Sequence, residues 1–426
     1  MRVFTIEEVS KHNSKSDCWV IIRDLVYDLS KFIEVHPGGS RIILTVAGKD
    51  ATKAFELHHN TVSVLHQYKR LFIGTISSDY VEVVEGQDEY GVDCYGDRVA
   101  FADPAWYQGW VSPYYNDSHR RLRKWARQIV DEKLLPFVFQ WEKNGRVPTT
   151  LYKEMAQLNL IPAVTGLPRW PSEEFVKQEP PCGIQRAEWD ALHSLIMGDE
   201  LSRVASAGVS AALTLGPSIA LPPIMKFAAD NLKQKVIGPV LNGDKTIALA
   251  ITEPYAGSDV ANIQTTATLD SEGQHYILNG EKKWITNGVW ADFFVVAART
   301  GSSGMAGITL FLVERSMGVE TRPVNCQGNI CSGTAFVIFD AVRVPKSNIV
   351  GKLNKGFKCI MANFNSERLG ICVSTLRSAR ICYEVAMKYA NKRRTFGQTL
   401  FSRKPSLFLI HKAFIQSLCL TIHCNS

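Results

Sequence analysis

The chain has 426 residues, a length that fits about two to four domains rather than one. Its 46% apolar content is that of a globular protein, and its mild net charge of +7 comes from scattered Lys and Arg, which argues against nucleic-acid binding. The ten cysteines form no C-x-x-C pair, and the chain is too large to need disulfide staples, so they read as reduced, intracellular thiols.

The N-terminus, Met1-Arg2-Val3-Phe4-Thr5, lacks the apolar run of a signal peptide. No uninterrupted apolar segment is expected to span a bilayer; the nearest, 407–424, is broken by His411, Lys412, Gln416 and His423. Two short strands are expected at 18–22 and 25–29, around Arg23-Asp24. Next comes Val35-His36-Pro37-Gly38-Gly39-Ser40, in which Pro37 and the glycines let the backbone turn sharply behind His36. Ile42, Ile43, Leu44 and Val46 supply an apolar lining. A helical stretch from Asp50 to Phe55 ends at His58-His59-Asn60. Two imidazoles on opposite sides of an apolar cleft can clamp an iron porphyrin.

His-Pro-Gly-Gly, followed 23 residues after His36 by His59 with Asp50-Ala51-Thr52 between, closely resembles the cytochrome b5 haem-binding domain over roughly 3–75. The resemblance implies a b-type haem with His36 and His59 as axial ligands, His58 being the alternative second ligand. With both axial positions filled, such a module passes electrons rather than binding oxygen. From Asp79 to Asp97 there are seven acids and no Lys or Arg, the composition of a linker.

Helices follow. Asp117-Ser118 is expected to cap one that carries Leu122, Trp125, Ile129 and Val130. Others are read from Pro148, from Leu192 to Val204, and over Pro223–Ala229 and Leu232–Ile237. The chain then becomes rich in short apolar strands. The first, 247–251, runs into Thr252-Glu253-Pro254 and the Gly257-Ser258-Asp259 loop, which presents hydroxyls and backbone N–H groups at a sheet end. Asn279-Gly280 reads as a hairpin turn, and Trp284-Ile285-Thr286 follows with an aromatic face and a hydroxyl.

These two motifs, in this order, strongly resemble the flavin-binding middle domain of acyl-CoA dehydrogenases. That likeness implies FAD lined by Leu249, Ile251, Thr252, Trp284 and Thr286. It places Ser258 in the cofactor pocket and at the thioester or phosphate end of an acyl-CoA substrate. A near-continuous helix is read from Gly356 to Asn391 and holds Phe364-Asn365-Ser366-Glu367-Arg368. The family's α,β-dehydrogenation needs a carboxylate opposite the flavin, and Glu367 matches the position of the base in isovaleryl- and long-chain-type members. Arg368 and Asn365 are implied as substrate-binding. Were the helix instead to begin near Ser366, its dipole would lower the pKa of Glu367. Arg393 and Phe396, in Arg393-Arg394-Thr395-Phe396-Gly397, correspond to residues that reach the flavin of a neighbouring subunit, which implies a homo-oligomer in a full-length form.

After Gln398 the likeness stops, and a shortened C-terminal bundle is expected to expose apolar faces of the long helix, impairing flavin retention and assembly. The expected fold class is multidomain α+β. A cytochrome b5-like domain (3–77) and acidic linker (78–98) precede a helical domain (99–245), a barrel-like β domain (246–352) and a partial helical bundle (353–426). The expected function is flavin-dependent dehydrogenation of an acyl-CoA thioester with a haem domain for electron transfer to an unidentified acceptor. The alternative is a haem electron-transfer module on a non-catalytic flavoprotein scaffold. The compartment stays open among cytoplasm, peroxisome and mitochondrion, although His423-Cys424-Asn425-Ser426 is no peroxisomal signal.

Overall fold

The computed structural model describes residues 2–36, 39–52, 54–55, 68–76, 102, 104–108, 112–165 and 169–403. His58, His59 and the acidic segment 78–98 lie outside the described residues, as does everything after Arg403. The chain divides into two compact units, the first built on Met1–Tyr95 and the second on Gly96–Leu134 and Val138–Ser426.

The first unit is a five-stranded sheet in the order β1-β5-β4-β3-β2, from β1 (Val3–Phe4), β2 (Asn13–Ser14), β3 (Asp17–Ile22), β4 (Leu25–Asp28) and β5 (Phe72–Ile76). Arg23 and Asp24 both have positive φ (51° and 61°), the conformation that lets two residues reverse a chain without splaying the strands. Helix α1 (Ile6–Ser10) and the sheet bury Phe4, Val9, Ile21 and Val26 together. Val20, Ile22, Tyr27 and Ala51 form a second cluster. Helix α2 (Ser40–Val46) buries Ile43, while Ile42 and Leu44 stay 52% and 37% exposed.

The second unit opens with α3 (Asp117–Ile129), α4 (Val138–Asn144), α5 (Thr149–Gln157) and α6 (Leu160–Thr165). These are followed by α7 (Ala191–Leu201), α8 (Ala207–Leu215), α9 (Leu221–Phe227) and α10 (Asp230–Leu241). The cap of α3 is Asn116 rather than Asp117-Ser118: its side chain accepts from the Ser118 and His119 N–H groups, and His119 Nδ1 accepts from the Asn116 N–H at 3.1 Å. Helix α8 escapes a periodicity reading because it is apolar all round, with Val209, Ala211, Ala212 and Leu213 buried. With α9 and the intervening turn it forms a run, Ala207–Phe227, long and apolar enough by length and composition to cross a bilayer. This corrects the expectation that no segment is, and 61% of its most apolar 18-residue window is buried in the folded protein, as a core helix is.

The helices are tied by charge as well as packing. Asp199 and Glu200 of α7 are buried with Arg123 of α3 and with Arg377 and Arg380 of the long helix. Tyr107 Oη donates to Asp199 at 2.6 Å. Burial alone would raise the Asp199 carboxyl, but Arg380, Arg377 and Arg123 hold it far below the usual carboxylate range. Burial brings the Arg123 guanidinium down to about 10.

Eight strands form the second sheet, in the order β11-β12-β8-β7-β9-β10-β13 with β6 paired to β9. They are β6 (Ile247–Ala250), β7 (Thr266–Leu269), β8 (His275–Ile285), β9 (Phe293–Arg299), β10 (Ile308–Glu314), β11 (Glu320–Pro323), β12 (Ala335–Pro345) and β13 (Ile349–Val350). Asn279-Gly280 is not a hairpin turn but lies inside β8, which runs unbroken. The glycine, at φ +142°, passes so close to Thr265 that a Cβ would lie 2.7 Å from its Cα. Opposite it the ladder shifts register between Phe339 and Val342, and Asn279 Oδ1 accepts from the Ala341 N–H at 2.8 Å. Asn-Gly here serves a bulge, the other backbone feature that accepts positive φ.

The last element is α11 (Gly356–Lys392), 37 residues long, followed by a small hairpin of β14 (Arg394–Thr395) and β15 (Gln398–Thr399). Glu367 lies well inside α11, so the alternative of a helix starting near Ser366 is overturned and the N-terminal dipole does not reach it. Leu369, Ile371, Val385 and Tyr389 are exposed along α11.

Candidate functional site

Strand β6 runs parallel to β9 with Ile247 opposite Phe293. Ala248 and Ala250 are buried, and Leu249 is half-buried on the other face. Beyond Ile251 the chain leaves the sheet and would be free to wander, but Glu253 pins it. That buried carboxylate accepts the N–H groups of Gln264 and Thr265 and the Lys282 ammonium at 2.7 Å. Lys282 Nζ also donates to the Ile251 carbonyl at 2.9 Å, and the Lys283 N–H to the Thr252 carbonyl at 2.9 Å. Residues 251–253 are thereby fastened to residues 282–283. Burial pushes the Lys282 ammonium down to about 8 against the pull of Glu253. For Glu253, burial works upward, but Lys282 and the backbone donors win and hold it below the ordinary carboxylate range.

Two residues on, the β8–β12 ladder shifts register between Ala335 opposite Ile285 and Val337 opposite Lys282, so Lys283 and Trp284 share one facing residue. This bulge holds Trp284 at φ 64°, a region few bulky residues enter, and turns its indole outward to 53% exposure. The Lys283 ammonium lies 4.9 Å from the ring centre. Thr252 and Thr286 are half-buried on either side of this segment, and no side-chain hydrogen bond engages their hydroxyls among the described residues. An outward aromatic face flanked by unengaged hydroxyls fits a planar heteroaromatic ring with a polar edge, as an isoalloxazine is. Ser258, by contrast, is exposed on its loop, and no hydrogen bond joins it to the other site residues among the described residues.

Glu367 is half-buried on α11, and Asn363 Nδ2 donates to its Oε1 at 2.8 Å. Burial raises the Glu367 carboxyl, with the Asn363 donor and the Arg368 charge acting against it. Asn365 and Arg368 are exposed and bonded to each other at 2.9 Å. No hydrogen bond joins Glu367 to Thr252, Trp284 or Thr286 among the described residues. One turn braces both sides instead. In the Gly216–Ala220 turn, a Cβ on Gly216 would lie 2.4 Å from the Ile247 carbonyl oxygen of β6, and the Ser218 carbonyl accepts from Asn363 of α11 at 3.2 Å.

Arg393 is exposed at the end of α11, and Phe396, at the β14–β15 turn, is 94% exposed with the Arg403 guanidinium 4.9 Å from its ring. In the first unit, His36 Nδ1 donates to the Gly39 carbonyl at 3.4 Å. Phe32 meets the imidazole edge-on at 5.8 Å. The exposed apolar side chains of Val35, Ile42 and Leu44 nearby in the chain fit a porphyrin face better than water. The second ligand expected at His59 or His58 lies outside the described residues.

Sequence reasoning missed Glu253, Lys282 and Asn363. Lys282 had a signal: it is in phase with Tyr276 and Leu278, which β8 turns inward, and an inward lysine requires a buried acid.

Family models match four stretches. A Cytochrome b5-like Heme/Steroid binding domain covers residues 5–77. The N-terminal, middle and C-terminal domains of acyl-CoA dehydrogenase cover 116–165, 248–342 and 354–407. Acyl-CoA dehydrogenase apdG of Emericella nidulans is 41% identical over 310 residues, 72% of this chain and 70% of that protein. Acyl-CoA dehydrogenase AFT10-1 of Alternaria alternata is 39% identical over 73% of this chain and 71% of its own. Among solved structures, butyryl-CoA dehydrogenase from Megasphaera elsdenii matches with a TM-score of 0.64 and 29% identity, covering 72% of this chain and 78% of that one. The fold and these likenesses define an oxidoreductase acting on acyl-CoA. The chain belongs to the acyl-CoA dehydrogenase family and carries a cytochrome b5-like domain ahead of that fold. Acyl-CoA dehydrogenases bind FAD and cytochrome b5-like domains bind haem, so its cofactors are FAD and a b-type haem.

Proposed function

We propose that this protein introduces an α,β double bond into an acyl-CoA thioester, with Glu367 as the base and the haem domain as an electron carrier. When bound, FAD supplies the hydride acceptor and the b-type haem one-electron chemistry. Glu367 removes the α-proton beside the thioester carbonyl. Its burial supports this role, because a desolvated carboxylate is a stronger base than a solvated one. Thr252 and Thr286 donate to the polar edge of the flavin, and Trp284 packs against it together with Leu249 and Ile251. Arg368 and Asn365 bind substrate at the mouth, and Ser258 meets the CoA portion.

Arg393 and Phe396, exposed beyond α11, serve the flavin of a neighbouring copy in a homo-oligomer. His36 and His59 hold the haem iron, His58 being the alternative partner. The observation that carries the reading is the half-buried Glu367 on a helix braced by the same turn as the β6 strand that leads to Thr252. The test is an anaerobic titration of the protein, loaded with FAD and haem, with butyryl-, octanoyl- and palmitoyl-CoA. Bleaching of the flavin absorbance by at least one thioester is expected; no bleaching by any of them favours the non-catalytic scaffold.

A further inference from the structure

A base that must be ionised and aimed needs something to hold it, and one residue of α11 is built for that task. Asn363 stands one helical turn before Glu367, so the two side chains meet on one face. It is only 9% exposed, a burial at which a carboxamide normally finds partners for its N–H groups. Both bonds are supplied: Nδ2 donates to Glu367 Oε1 at 2.8 Å and to the Ser218 carbonyl at 3.2 Å.

The sequence explains why that carbonyl is available. In a helical turn, the Ser218 oxygen would accept from the residue four or five places on, but these are Pro222 and Pro223, which have no N–H. The next backbone donor, the Leu221 N–H, goes to Pro217 instead. Two prolines thus leave a carbonyl that a side chain from another element must satisfy.

We propose that Asn363 is a positioning residue for the reaction: the Ser218 carbonyl, orphaned by Pro222-Pro223, fixes its carboxamide so that the remaining N–H holds the Glu367 carboxylate in one orientation and in its ionised form. This rests on the reading of Glu367 as the base. A donor aimed at a carboxylate stabilises the ionised state, opposing the burial that disfavours it. Arg368, the neighbouring cation, acts in the same direction. Asn363 therefore opposes the effect of burial on this base and favours its ionised form.

The test is an NMR titration of the full chain with 13C-labelled glutamate carboxyls and 15N-labelled asparagine amides, the Glu367 signal being assigned by its loss in Glu367→Gln. In the unaltered protein, the Asn363 amide is expected to shift with the same midpoint as Glu367, and Glu367→Gln to abolish that shift. Asn363→Leu, which keeps the branched shape and removes the donor, is expected to raise the Glu367 midpoint by about one pH unit. Asn363→Asp, which sets a second carboxylate there, is expected to raise it further. An Asn363 amide indifferent to pH in the unaltered protein overturns the inference whether or not the variants fold, as does an unmoved Glu367 midpoint in a folded variant. Undiminished flavin bleaching by octanoyl-CoA in Glu367→Gln would sink the base assignment alone, leaving this coupling to stand or fall on the titration.

Discussion

Lys282 and Glu253 form a buried ion pair, Nζ to Oε1 2.7 Å, between strand β8 and the loop that follows β6. Neither partner is at the surface, so each depends on the other to offset lost hydration. The pair also ties Glu253, next to Thr252, to Lys282, two residues before Trp284. Lys282→Met should destabilise the protein by about 3–5 kcal/mol, the usual cost of leaving one buried partner behind. It should also lower flavin content more than a surface change such as Lys352→Met, at an exposed residue outside the site. Thermal unfolding and the flavin-to-protein absorbance ratio check both; unchanged flavin content would show that the pair does not set the pocket.

The Asp199 cluster gives a pH dependence with a definite sign. The folded-state carboxyl is held below its unfolded value of about 3.9 by Arg380, Arg377 and Arg123. Its stabilising contribution is therefore present above that unfolded value and is lost as pH falls toward the folded one. Acid unfolding followed by near-ultraviolet circular dichroism should be less steep below about pH 4 in Asp199→Asn, on a lower baseline stability. Removing one cation in Arg123→Met should cost about 3–5 kcal/mol.

Gly280→Ala tests the unbroken course of β8. The new methyl would lie 2.7 Å from backbone and side-chain atoms of Thr265, at a φ of +142° that an L side chain rarely adopts. A loss of roughly 1–3 kcal/mol is expected in chemical denaturation. An unchanged midpoint would mean the two strands do not approach this closely.

Much of this was legible in the sequence because it is local. The Thr252-Glu253-Pro254 and Trp284-Ile285-Thr286 motifs, the helix bearing Glu367 and the strands around Arg23-Asp24 are each written in neighbouring residues. The errors arose where one local signal serves two structures. Asn279-Gly280 suits a turn or a bulge, and only the register with β12 decides. Helix α8, apolar on every side, shows no stripe to find. The partners of buried charges were least legible: Arg123, Asp199 and Arg377 lie on three elements far apart in the chain. Asn363 reads as an ordinary polar helix residue until Pro222 and Pro223 are seen to leave the Ser218 carbonyl without a donor.

The decisive measurement is stopped-flow flavin bleaching by octanoyl-CoA, or by whichever tested thioester bleaches fastest, for the unaltered protein and Glu367→Gln at matched FAD content across pH. In the unaltered protein the rate should fall on acidification with a midpoint above the ordinary glutamate value, because burial raises this carboxyl and the base works only when ionised. Glu367→Gln should lose at least about a hundredfold in rate while keeping its flavin. A variant that bleaches as fast as the unaltered protein would contradict Glu367 as the base.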